Sequence, residues 1–162
     1  DKGLLVAVDG LATYTDESLG FQISYPAEWQ RPLLSAEENY NFLIFQEFPD
    51  GFVVVNLITI TGVSGLTLDD IVPIVTDNFR QTEGLTILQT QYGEIGGVRA
   101  YILDYELILQ DGLGNDEIYR GRQYVVLKNN IVWFFTAETP PADFEPNLPL
   151  IEEIMASIQF LQ

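Results

Sequence analysis

Asp111, Asn115, Asp116 and Glu117 stand close together in the stretch QDGLGNDEI. Oxygen-bearing side chains at this density suit a hard cation, and Ca²⁺ is the ion that takes such ligands. The run departs from the EF-hand pattern at Leu113 and lacks a Gly after Asn115. A plain hairpin loop explains the same residues, because Gly, Asn and Asp tolerate positive φ. The plain loop is the expected reading, with weak Ca²⁺ binding as the alternative and no cofactor expected. Asp69 and Asp70 form a second acidic pair, which helix capping explains without a metal. Asp104 and Glu106 have the spacing of a carboxylate pair of the glycosidase kind. Arg122 and Arg120 should lie opposite them and favour the ionised form, the wrong state for a general acid. GEIGG (93–97) is not a phosphate loop, since no Lys-Ser/Thr pair or helix start follows it. Trp29, Tyr101 and Trp133 are the candidate binding residues, lining a pocket between sheet and helix. Core packing is the plainer role for Trp29.

The chain has neither Cys nor His. Disulfides, zinc sites built on those ligands, and Cys–His or Ser–His–Asp mechanisms are excluded within it. No nucleophile–base pair can be assembled, so a non-enzymatic protein is expected. The formal net charge of −17 disfavours nucleic acid and anionic membranes, which need basic patches. A protein partner, if electrostatically matched, should be basic. At 162 residues and 47% apolar content the chain can bury a sizeable core. It has no apolar run long enough for a membrane-spanning helix.

The elements that must position these residues follow from periodicity. Residues 98–138 read as three antiparallel strands. Tyr101, Leu103, Tyr105 and Leu107 alternate with Ile102, Asp104, Glu106 and Ile108. Folding the hairpin about Leu113 sets Asp104 opposite Arg122, Glu106 opposite Arg120, Ile102 opposite Tyr124 and Ile108 opposite Ile118. A second hairpin closes at Asn129-Asn130 as a type I′ turn, with Val126 opposite Trp133. Phe21, Ile23 and Tyr25 mark a strand that Pro26 ends. Residues 42–48 and 52–60 form a hairpin about Pro49-Asp50-Gly51. Thr67 caps a helix whose stripe is Leu68, Ile71, Val75 and Phe79 and whose stop is Gly84. Pro73 predicts a kink in it or a later start. Residues 85–92 give a strand and 93–97 a turn. After a proline-rich turn, a helix over 149–157 is expected, capped by Asn147, with Leu150, Ile151, Ile154 and Ile158 facing inward. A short terminal piece can follow over 158–161. The domain plan is an N-terminal arm, residues 1–13, and one domain, residues 14–162. The fold class is α+β, an antiparallel central sheet with helices on both faces.

Tyr14 leading into GFQISYPAEW (20–29), IGGVRAYILDYEL (95–107), RQYVVLKNNIVWFFTAETP (122–140) and DFEPNLPLIEEIMASIQF (143–160) together resemble the PsbP-like superfamily. This superfamily includes the PsbP extrinsic subunit of photosystem II and the yeast Mog Ran-binding protein. The likeness runs in order over nearly the whole chain, although each motif is short. The chain is similar to a general bacterial or cyanobacterial relative more than to the plant subunit, because it lacks the basic N-terminal docking segment and has no His for metal. The resemblance implies an α/β/α sandwich. It also implies a non-catalytic module that docks on a membrane-associated protein complex. Its location would be extracytoplasmic (periplasmic, lumenal or cell-surface), with a lipoprotein-like anchor upstream. A small-molecule or cation carrier is the alternative.

Overall fold

The computed structural model describes residues 4–8, 10–35 and 37–161, the first five through their backbone alone. The chain runs β1 (Leu4–Val8), β2 (Leu11–Asp16), β3 (Phe21–Pro26), β4 (Phe42–Phe48), β5 (Gly51–Thr61), α1 (Leu68–Gln81), β6 (Leu85–Ile95), β7 (Val98–Gln110), β8 (Asp116–Lys128), β9 (Ile131–Thr139), α2 (Pro141–Ala156) and β10 (Gln159–Phe160). The strands form an antiparallel six-stranded sheet in the order β4-β5-β9-β8-β7-β6 and a four-stranded sheet in the order β1-β2-β3-β10. The α+β class with antiparallel sheet and helices on both faces holds, with the four-stranded sheet as an addition. Residues 11–13, part of the expected arm, belong to β2, which continues to Asp16 and pairs with β3.

The central meander has the predicted register. Asp104 pairs with Arg122, Glu106 with Arg120, Ile102 with Tyr124, and Ile108 with Ile118. Asn129 and Asn130 take φ of 57° and 60°, as a type I′ turn requires, and Val126 faces Trp133. Two other turns are tighter than expected. Gly51 already belongs to β5, and β6 continues to Ile95 so that Gly96-Gly97 alone makes the turn. One irregularity breaks the ladder. Between Ile87 and Gln89 the pairing of β6 with β7 shifts, which leaves Leu88 without a partner.

Helix α1 starts where its cap predicts. The Thr67 hydroxyl accepts the Asp70 amide and the Asp70 carboxylate accepts the Thr67 amide, a reciprocal cap. Pro73 sits inside the helix without delaying its start, and the helix ends at Thr82 rather than at Gly84. Helix α2 is a larger correction. It begins at Pro141, not Pro149, so the expected proline-rich turn is its first turns. Pro141 occupies the first turn, where its missing N–H costs nothing. Pro146 and Pro149 lie inside and each removes a helix hydrogen bond. Burial of Phe144, Ile151, Ile154 and Met155 holds the helix against that loss. Asn147, expected as the cap, instead donates its side-chain amide to the Asp143 carbonyl at 2.7 Å.

The six-stranded sheet separates two cores. On one face Tyr101, Leu103, Tyr105, Val125 and Val132 meet Ile71 and Val75 of α1. On the other, Ala100, Ile102, Tyr124, Trp133 and Phe135 meet the small sheet through Tyr14, Phe21 and Ile23, and α2 through Ile151, Ile154 and Met155. Terminal β10 pairs with β3, and Phe160 packs edge-on over Trp133 at 4.9 Å.

Candidate functional site

The longest strands, β7 and β8, carry the site at their joining loop. Pairing of β6 with β7 stops at Leu85–Leu107, and pairing of β9 with β8 stops at Thr139–Arg120. Residues 108–118 therefore project past the flanking strands and pair in the sheet only with each other. The projection is apolar where a free loop would be polar. Leu113 is 87% exposed at the tip, and Ile108, Leu109 and Ile118 are exposed below it. Asp111, Asp116 and Glu117 stand among them, and no Lys or Arg occurs between Leu107 and Tyr119.

Asp111 builds the loop. Its Oδ1 accepts the amides of Leu113 at 2.8 Å and Asn115 at 2.9 Å, and its Oδ2 accepts the Asn115 side-chain amide at 3.3 Å. Hydrogen bonds from the Asn115 backbone, then from Leu113, hold its carboxyl below the ordinary range. Of the four candidate cation ligands, the structure brings Asp111 and Asn115 together and separates the rest. Asp116 opens β8 opposite Gln110, and Glu117 accepts the Tyr119 hydroxyl at 2.7 Å. Among the described residues no group of three or more Asp or Glu is placed to hold a metal.

The three candidate aromatic residues are not brought together either. Trp29 and Trp133 lie in the core on the α2 side of the sheet, and Tyr101 lies in the core on the α1 side. The reason is register: Tyr101 faces Val125 and Phe134, while Trp133 faces Val126, one residue on and thus on the opposite face. A pocket does exist between sheet and helix, with a different lining. It is an apolar depression of about 280 Å³ bounded by Ile71, Ile74 and Val75 of α1, Val132 and Phe134 of β9, and Gln123 of β8. Sequence periodicity marks Ile71 and Val75 as core and gives no sign that Ile74, Gln123 and Phe134 converge.

The carboxylate pair opposite the arginines is structural. Arg122 donates to Asp104 through Nε at 2.6 Å and Nη2 at 3.0 Å, and through Nη1 to Glu152 of α2 at 3.4 Å. Asp104 thus holds its guanidinium pKa well above the ordinary value. Arg120 faces Glu106 in register, yet its guanidinium turns to Glu145 at 3.8 Å and lies over the Phe144 ring. On the α1 face the Tyr105 hydroxyl donates to Glu138. Burial raises the Glu138 carboxyl above its ordinary value, and the Tyr105 hydrogen bond opposes the rise.

This architecture is the PsbP-like fold. No family model matches the sequence, and no curated protein matches it. Solved structures do. The chain is similar to the cyanobacterial PsbP of Synechocystis, with a TM-score of 0.71 at 17% identity, covering 96% of this chain and 95% of that one. It is similar to LpqN, involved in cell envelope biogenesis of Mycobacterium tuberculosis, with a TM-score of 0.62 at 13% identity over 99% and 91%. It is similar to the Saccharomyces cerevisiae Ran-binding protein Mog1p, with a TM-score of 0.54 at 10% identity over 99% and 96%. The resemblance read from the sequence therefore holds at the level of fold. Among the described residues no helix is long and apolar enough to cross a membrane.

Proposed function

We propose that the protein is a non-catalytic interaction module that docks on a larger extracytoplasmic, membrane-associated assembly through its β7–β8 hairpin. The observation that carries this reading is the hairpin tip, where Leu109, Leu113 and Ile118 are exposed amid Asp111, Asp116 and Glu117. Register sets Leu109 on one face of the hairpin and Ile108 and Ile118 on the other, so the projection offers exposed apolar side chains on both faces, the kind of surface that marks protein contacts. The rim here is acidic, so the partner presents an apolar patch ringed by Lys and Arg. Among the neighbours in fold, one is named a Ran-binding protein and another is described as involved in cell envelope biogenesis. The cation reading of the same loop is secondary, because Asp111 already serves the loop backbone.

Immobilised protein and a Leu109→Ser/Leu113→Ser variant are exposed to detergent-solubilised envelope extract and eluted with a salt gradient. A basic protein retained by the parent, released by salt and lost by the variant is the expected result. Shortening the Debye length from about 10 Å at 0.1 M to about 3 Å at 1 M weakens such an encounter. Equal retention by parent and variant would reject the hairpin as the docking element.

A further inference from the structure

The pocket under α1 lies toward the Asn129-Asn130 end of the sheet, away from the projecting hairpin, and docking does not explain it. Its walls are apolar, and Ile74 and Ile60 at its rim are 55% and 51% exposed. Two carboxamides interrupt that lining, Asn78 on α1 and Gln123 on β8. Gln123 gives its amide nitrogen to the Thr136 hydroxyl at 3.2 Å, and its Oε1 is buried with no hydrogen-bond partner. A buried polar atom left unpaired is costly, so a group that supplies the missing bond gains by entering.

We infer that this pocket binds a small neutral amphipath, an alcohol-bearing aliphatic or aromatic molecule whose body lies against Ile71, Ile74, Val132 and Phe134 and whose hydroxyl pairs with Gln123. Three observations select this class. The volume of about 280 Å³ is at the small end of ligand sites. Among the described residues no charged side chain lines the cavity, so an ionised ligand would lose its hydration without a counter-charge. The net charge of −17 further disfavours fatty acids and other anions. A carboxamide both donates and accepts, which a hydroxyl matches.

Octanol is titrated into the methyl-labelled protein and followed by NMR, with octanoate and methyl octyl ether as comparisons. Saturable shifts confined to Ile71, Ile74, Val75 and Val132 are expected, with octanoate weaker by about tenfold or more. Ile74→Glu, at an exposed position, should abolish octanol binding while leaving the thermal midpoint in place. Gln123→Leu should retain binding of the ether and lose the preference for the alcohol over it. Absence of saturation up to the solubility limit, shifts centred elsewhere, or octanoate binding as tightly as octanol would each overturn the assignment. Unchanged docking in the presence of saturating octanol separates this site from the hairpin.

Discussion

Arg122 and Asp104 are 10% and 8% exposed at the side chain, and two hydrogen bonds join them. Arg120, two residues earlier on the same strand, meets Glu145 at 3.8 Å, where Glu145 is 71% exposed. Burial makes the first pair expensive to break. Removing one partner strands a charge out of water, at a cost of about 3–5 kcal/mol. Arg122→Met alone should fall in that range, and so should Asp104→Leu. The double variant should lose far less than their sum, as read from urea midpoints in a double-mutant cycle. Glu145→Gln should cost less than about 1 kcal/mol, the value of an exposed pair. The register of these residues is legible in sequence, because acids meet bases only in one alignment of the hairpin. The choice of Arg120 for Glu145 over Glu106 is not legible, since it depends on where α2 crosses the sheet.

At the scale of elements, the turn from α1 into β6 is fixed by one close approach. Gly84 has φ of 81°, and a Cβ there would stand 2.2 Å from the Ile108 carbonyl oxygen. Its own carbonyl accepts the Ile108 amide at 2.8 Å. The neighbour is backbone at the base of the projecting hairpin, so it cannot rotate aside. Gly84→Ala should cost more than about 1–3 kcal/mol, the usual range for overpacking, since strain at positive φ adds to the clash. Gly112, whose Cβ would meet nothing within 4 Å, should accept Ala with a change within about 0.5 kcal/mol. Thermal or urea unfolding of both variants checks the contrast. Hairpins and α1 could be read from alternation, turn residues and a cap. The start of α2 could not, because Pro146 and Pro149 oppose helix locally and the burial of Phe144, Ile151, Ile154 and Met155 overrides them.

For the whole molecule, charge and burial act in the same direction with pH. The surplus of carboxylates repels itself and weakens the compact state. Glu138 adds to this. Its folded pKa lies above the ordinary 4.5, so the folded state holds the proton more tightly than the unfolded one. The stability it provides is complete below 4.5 and is lost as pH rises through the folded value. Asp70 and Asp111 act oppositely: backbone hydrogen bonds lower them, and their contribution is lost as pH falls through their folded values. The urea midpoint should therefore rise as pH falls from about 8 to about 5, and added salt should flatten that rise. Glu138→Gln, which still offers Tyr105 an acceptor, should be more stable than the parent near neutrality. That gap should close below 4.5. A parent midpoint that falls steadily from pH 8 would contradict this account. The class of fold was legible because strand pairs and helix stripes are local patterns. The pocket was not, because Ile71, Gln123 and Phe134 come from separate segments that only the packing of α1 on the sheet brings together.

Leu88, the unpaired residue in the bulge of β6, bears on how copies of this protein behave toward one another. Strand β6 is the last of its sheet and carries eleven residues of open backbone, a template onto which a second chain could add. The bulge breaks the repeat of donors and acceptors along that template and bends it. The opposite border is closed differently, since Gln30 and Phe45 exchange backbone hydrogen bonds at 2.8 and 2.9 Å and occupy part of β4. A chain with a straight β6 would be prone to stack into fibres when concentrated. The irregularity at Leu88 blunts this edge against the addition of a second strand.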